Sequence, residues 1–330
     1  MTAFFSTAFS SRMWIPLLLV LLVISLLLTL SQGAVTLDWP WAQSDFERQV
    51  LWQLRWPRAC VAMLLGAGLA ASGCVLQTLM QNALAEPGLI GISSGSSLLA
   101  VATLVACRAM GVPLAAWGLS LAAFSGAMLM TVLLLGLLRH YRLDISRLLL
   151  LGVALGICAS AATTWLLFMA NDGTLREILF WMMGSLAYGQ SRPLFWWLPY
   201  LLVLAWLMWR RDWLAQLQLG EQHAHLLGLD LKRVRWQLIL AVAFLTGVAV
   251  ALAGAIGFVG LLLPHLMRLL TRQGVALVLP TAALGGAITL LWADWLARSL
   301  PQAGELPVGM VTASFGAPLL VLMLVRRQDV

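Results

Sequence analysis

Residues 236–270 read WQLILAVAFLTGVAVALAGAIGFVGLLLPHLMRLL, and no ionisable side chain occurs before His265. As one helix this stretch would be about 52 Å long at 1.5 Å per residue, against roughly 30 Å of bilayer hydrocarbon. It is too long for one crossing. Gly254 and Gly257 offer a break, which divides it into two helices at about 236–253 and 257–270. Hydrocarbon supplies no hydrogen-bond partners, so backbone at that depth must satisfy itself within a helix.

The same reading extends outward in both directions. Of 330 residues, 62% are hydrophobic and 10% are charged, where a soluble domain averages about 25% charged. Eight further apolar segments lie at roughly 14–31, 58–80, 91–107, 113–137, 147–169, 194–209, 275–298 and 307–325. The expected fold is therefore all-α and polytopic, with about ten membrane helices. The whole chain, 1–330, reads as a single transmembrane domain, and the longest polar stretch, 210–235, is a loop within it. Arg12 precedes the apolar run Trp14–Leu30, which is long for the core of a signal peptide and reads as a retained first helix.

Charge placement narrows the function. The net charge is +7, but the basic residues sit between apolar runs and form no stripe with interleaved aromatics, which argues against nucleic acid. With both termini cytoplasmic, thirteen of the twenty Lys and Arg residues fall inside and seven outside, the sense of the positive-inside rule. Trp39, Trp41, Trp52 and Trp56 cluster near the outer interface, as an aromatic belt would. The four cysteines form no CxxC and no metal-ligand spacing, so neither a metal nor another cofactor is expected.

A motor is missing. The chain has no GxxxxGK[ST] phosphate loop, and no paired aspartates, Ser–His set or HExxH of an intramembrane protease. It is expected not to be an enzyme. Asp294 is the main deep carboxylate and lies four residues before Arg298. An interfacial i,i+4 ion pair is the favoured reading over an ion-coupling site of a secondary transporter.

Four features carry further expectations. Gly152, Gly156, Ser160 and Thr164 place small residues at spacing four, as do Gly309, Ala313 and Ala317. Such faces let backbones approach closely, either within one subunit or at a pore and subunit interface. The loop Gln81–Gly88 and the run Gly91–Ser97 are rich in turn formers at an inner face, which suits an ordinary connection or a gate. Leu219–Asp230 reads as a short amphipathic helix ended by Gly228. Its Leu226, Leu227 and Leu229 are exposed unless the chain's own helix ends or a partner covers them. Outside, Arg55, Arg58 and Arg298 are either plain interfacial charge or anchors for a partner's carboxylates.

Asn82-Ala-Leu-Ala-Glu-Pro-Gly88, Leu219-Gly-Glu with Leu227-Gly228, Gly257-Phe-Val-Gly-Leu-Leu-Leu-Pro-His265 and Glu305-Leu-Pro-Val-Gly309 occur in this order. Together they resemble the FecCD-type permeases of bacterial ABC importers for iron-siderophores, haem and cobalamin. Arg147–Gly156, Phe180–Gly184 and Ala251–Gly257 lean towards the cobalamin carriers. The resemblance implies a type II ABC importer permease in the inner membrane. Two copies would form the pore, lined by the helices bearing Gly152, Gly156, Ser160, Thr164, Gly309, Ala313 and Ala317. Two cytoplasmic ATP-binding subunits would dock around Gly220, Glu221, His225, Leu227 and Gly228. A periplasmic binding protein would land on Arg55, Arg58 and Arg298 and deliver cobalamin, or alternatively haem or a ferric siderophore. Asn82 and Leu84, with Ile145 and Ser146, would form the cytoplasmic gate. Two departures stand out: Ala83 follows Asn82 where Pro is usual, and Ile145 stands where a small polar residue is expected.

Overall fold

The computed structural model describes residues 13–32, 44–115, 117–141, 146–188, 197–300 and 305–325. The helices among them are α1 (Trp14–Ser31), α2 (Asp45–Gln49), α3 (Trp56–Leu79), α4 (Ile92–Ala109), α5 (Gly118–His140), α6 (Ser146–Met169) and α7 (Asp172–Met182). They continue with α8 (Leu198–Trp209), α9 (Arg211–Gln218), α10 (Glu221–Leu226), α11 (Leu231–Ala253), α12 (Val259–Thr271), α13 (Val275–Ser299) and α14 (Val308–Val325). No strand occurs among the described residues. Seven helices are long and apolar enough to cross a membrane, counting α2 and α3 as one run, while α8, α12 and α14 are shorter apolar helices. Each of the ten expected segments falls on one of these ten.

The second crossing begins earlier than expected. It runs unbroken from Asp45, where Ser44 and Glu47 form a capping box, to Leu79. The cause lies at Pro57, which has no N–H and would clash with the carbonyl four residues back. The six residues before α3, Val50–Arg55, widen into a π-helix, and the Trp56 N–H reaches back five residues to the Leu51 carbonyl. The extra residue per turn absorbs the proline without breaking the rod. Trp52 and Trp56 of the expected aromatic belt meet here with ring centroids 5.8 Å apart and planes tilted by 53°; Trp39 and Trp41 lie outside the described residues.

Helix α3 is the central post. It packs against α1, α11, α12 and α13, and its backbone meets its neighbours where neither side carries a Cβ. Gly66 abuts Gly286 of α13, and Gly73 abuts Gly260 of α12. Small residues give membrane helices this approach, in which dispersion replaces the missing hydrophobic drive. By contrast α6 and α14 are peripheral: Leu150, Ile157, Trp165 and Phe168 of α6, and Phe315 and Leu322 of α14, are exposed.

The break in 236–270 falls at residues 254–258. Gly254 turns the chain with φ +70°, its Cβ position facing the Trp181 carbonyl at the end of α7 and Gly184 just beyond it. The second turn is made not by Gly257 but by Phe258, a non-glycine residue with φ +67°. Helix α7 was not anticipated as an element. Eleven residues are too short to cross a bilayer, and it is capped by the Asn171 side chain, which accepts the Thr174 N–H at 2.9 Å.

Candidate functional site

The two ends of the bundle carry its polar structure. At one end, Arg58 is 6% exposed and holds two carboxylates. Its Nε donates to Asp294 Oδ1 at 2.9 Å and its Nη1 to Glu305 Oε1 at 2.9 Å. Asp294 is also paired with Arg298 at 3.1 Å, the i,i+4 contact expected from the sequence. Arg55, 7% exposed, donates from Nη1 to the Leu30 carbonyl at 2.7 Å, and Arg298 Nη2 reaches the Thr29 carbonyl at 3.4 Å. The cluster therefore ties α1, α3, α13 and the segment before α14. Glu305 is its accessible member, with a side chain 46% exposed, and Arg58 Nη2 is buried without a hydrogen-bond partner among the described residues. Thus all three arginines singled out from the sequence are brought together and are engaged within the chain. Asp294, buried between two of them, and Glu305 complete the cluster, and only the first had been singled out as ionisable.

At the other end lies the loop between α3 and α4. Asn82 Oδ1 accepts the Leu84 N–H at 2.9 Å, an Asx turn, and the Ala85 N–H returns to the Asn82 carbonyl. This turn presents Leu84, which is exposed, while Ala85 and Ile90 are fully buried. Glu86 is half-buried and accepts the Phe258 N–H at 2.9 Å. Burial pushes its carboxyl above the ordinary carboxylate range, and the Phe258 hydrogen bond opposes that shift. Ile145 lies outside the described residues, and Ser146 is the first residue of α6.

The small-residue faces divide. A Cβ at Gly152 would lie 2.7 Å from the Ile90 Cα, and one at Gly156 would lie 3.3 Å from the Gly91 Cα. These glycines seat α6 on the loop and on the start of α4. Ser160 Oγ stands 3.5 Å from Ser94 Oγ on α4, and Thr164 is exposed, bonding only back to the Ser160 carbonyl. Gly309 packs on the Met183 carbonyl, whereas Ala313 and Ala317 are half-buried.

The polar stretch 210–235 folds into α9 and α10. Helix α9 packs on α3 and α13, and its Gln218 Oε1 accepts the Val275 N–H at 3.1 Å. Gly220 leads into α10 with φ +98°, Glu221 pairs with Arg235 of α11, and His225 is exposed. Gly228 closes the helix with φ +84° in a full Schellman arrangement: its N–H bonds the His225 carbonyl, and that of Leu229 bonds the Ala224 carbonyl. That closure buries Leu229 within the chain, one of the two outcomes the sequence leaves open for these leucines, and leaves Leu226 and Leu227 at 83% and 60% exposure. No cluster of His, Cys, Asp and Glu that could hold a metal occurs among the described residues.

The FecCD transport family model matches residues 17–326. The Vitamin B12 import system permease protein BtuC of Vibrio cholerae is 46% identical over 294 residues, covering 87% of this chain and 86% of the relative. The BtuC protein of Vibrio vulnificus is 42% identical over 325 residues, covering 98% of this chain and 97% of the relative. Among solved structures, a metal-chelate type ABC transporter in an inward-facing conformation matches with a TM-score of 0.86 and 33% identity, over 94% of this chain and 98% of that one.

Proposed function

The chain belongs to the FecCD transport family, and from that membership we infer that it carries vitamin B12 across the inner membrane. It is a permease subunit of an ABC importer rather than an enzyme. The observation that carries the cargo is the identity of 46% and 42% with relatives described as vitamin B12 import permeases, over most of both chains. A bulky cargo handed over by a partner calls for a wide, weakly binding passage, and the bundle's carboxylates lie at its ends rather than midway.

In this reading two copies form the pore, with the exposed faces of α6 and α14 contributing to it. Ser160, Thr164, Ala313 and Ala317 belong to those faces, while Gly152, Gly156 and Gly309 seat the same helices. Two ATP-binding subunits dock on α10, where Gly220, Glu221, His225, Leu227 and Gly228 form a projecting knob; its uncovered Leu226 and Leu227 support this. The loop bearing Asn82 and Leu84 is the cytoplasmic gate, a role assigned also to Ile145 and Ser146. A periplasmic binding protein engages Arg55, Arg58 and Arg298 through carboxylates. Arg58 Nη2 is buried without a hydrogen-bond partner among the described residues, so an incoming carboxylate reaches that guanidinium by displacing Glu305, the accessible member of the cluster. Both termini face the cytoplasm.

The test is reconstitution with a cognate ATP-binding subunit and periplasmic binding protein, followed by uptake of labelled cobalamin, haem and ferric siderophore. ATP-dependent uptake of cobalamin alone is expected. Preference for a ferric siderophore or haem moves the chain to a second branch of the same family, a reading favoured by the metal-chelate type of the structural relative. Uptake driven by a proton gradient without ATP overturns the importer reading. The paired arginines on Asp294 argue against that outcome.

A further inference from the structure

Two motifs far apart in the sequence meet at one hydrogen bond. Glu86 lies in the loop after α3, and its Oε1 accepts the N–H of Phe258, 172 residues later, at 2.9 Å. Phe258 is the N-cap of α12 and has φ +67° and ψ −27°, a left-handed conformation that bulky residues rarely hold. A helix start leaves N–H groups without intrahelical partners and carries partial positive charge. Glu86 supplies from the loop the carboxylate that a local capping residue ordinarily provides. The neighbouring residue strengthens the contact, since a Cβ on Gly260 would lie 3.4 Å from the Pro87 Cδ.

The Phe258 side chain faces the other way. A Cβ on Gly316 of α14 would stand 2.5 Å from the Phe258 Cβ and 2.8 Å from its Cγ, so α14 passes over this residue with only a glycine between. Beneath, Gln77 of α3 donates to the Leu261 carbonyl at 3.0 Å and accepts from Arg268 Nη1 at 2.8 Å, which fixes α12 to the central post. One strained residue is thus held by the loop on its backbone and touches α14 through its ring, next to a firmly anchored helix.

We propose that Glu86 is a positioning residue that latches the inner loop to the α11–α12 break, so that loop and α14 move together through Phe258. The proposal rests on reading that loop as the gate. Displacing the loop withdraws the acceptor from the Phe258 N–H, frees its left-handed turn to relax, and shifts the ring under Gly316. Opening at the loop and rearrangement of α14 then form one event rather than two. The link depends on an acceptor oxygen at residue 86 rather than on its charge.

The test uses the complete complex with its ATP-binding and binding-protein partners, carrying Glu86→Ala or Glu86→Gln. Hydrogen–deuterium exchange is followed in peptides spanning 82–91, 255–262 and 312–320, and uptake is measured per ATP hydrolysed. Glu86→Ala should raise exchange in the first two peptides about tenfold, the scale of a lost hydrogen bond to a charged acceptor. It should also lower uptake per ATP while hydrolysis continues. Glu86→Gln keeps an acceptor oxygen and should restore both. A merely structural role would lower uptake and hydrolysis in proportion. Unchanged exchange at 255–262, or a wild-type uptake ratio, in Glu86→Ala overturns the latch. Should that variant not assemble, Phe258→Ala keeps the N–H and the Cβ and removes only the ring; faster exchange at 312–320 with 82–91 unchanged is expected, and no change at 312–320 overturns the link. A wild-type complex without ATP-dependent uptake would overturn the proposed function instead, and exchange would still decide the latch.

Discussion

Asp294 is 2% exposed and lies between Arg58 and Arg298, so the two guanidinium groups exist as partners for one buried carboxylate as much as for anything outside. Removing one member of such a set leaves an uncompensated buried charge, which costs about 3–5 kcal/mol. Asp294→Ala is expected to destabilise the detergent-solubilised protein by about that amount, measured by thermal unfolding; a change within error would mean that water reaches the arginines. Glu86 gives a pH-dependent prediction. Its carboxyl titrates above the ordinary value of 4.5 because burial penalises the charged form. The stability attached to a raised carboxyl is complete below pH 4.5 and is lost as pH rises through the native value. Glu86→Gln cannot lose it. The variant should melt with wild type in acid and above it at neutral pH; an offset that is constant with pH would exclude the ionisation as its cause.

At the scale of elements, the short helix α10 depends on how it ends. Gly228 at φ +84° closes the Schellman arrangement that sends Leu229 inward and leaves Leu226 and Leu227 outside. A β-branched side chain in a left-handed conformation costs about 1–2 kcal/mol, enough to unwind six residues without touching the membrane helices. Gly228→Val is therefore expected to insert normally, by yield and monodispersity, while stimulation of ATP hydrolysis by the loaded binding protein falls. Retained stimulation would place the motor contact elsewhere. The contact of α3 with α13 is more demanding, because Gly66 and Gly286 touch backbone to backbone. A leucine at Gly66 has nowhere to go and should prevent isolation of folded protein, whereas Gly136, with nothing within 4 Å of its Cβ position, should accept alanine without loss.

For the molecule as a whole, the arrangement makes a statement about sidedness. In the proposed orientation, loop 210–235 and the loop after α3 lie at the face where Lys and Arg are concentrated, and the arginine cluster lies at the opposite face. Single cysteines at Leu226 and at Met110, both exposed, in a background where all four native cysteines are replaced by Ser, should react with an impermeant maleimide from opposite sides of the membrane. Leu226 is expected to label only from the cytoplasmic side. Labelling of both from one side would overturn the orientation.

The sequence by itself determined that this chain is a bundle of about ten apolar helices, and nearly every membrane-helix position followed from it. The reason is local: a run of apolar residues in hydrocarbon has no alternative to helix, as in α5, α11 and α13. The ion pair of Asp294 with Arg298 and the ending of α10 at Gly228 were legible for the same reason, since their partners lie within a turn or two. What only the tertiary structure decided involves distant partners. Nothing near Arg58 in the chain announces Asp294 or Glu305, and nothing near Glu86 announces Phe258. The left-handed turn falls on Phe258 rather than on the adjacent Gly257 because the Glu86 acceptor, Pro87 and Gly316 converge there. A side chain's partners in a bundle are set by how helices stack in three dimensions, and that stacking follows from backbone contacts such as Gly66 with Gly286, which no single segment records.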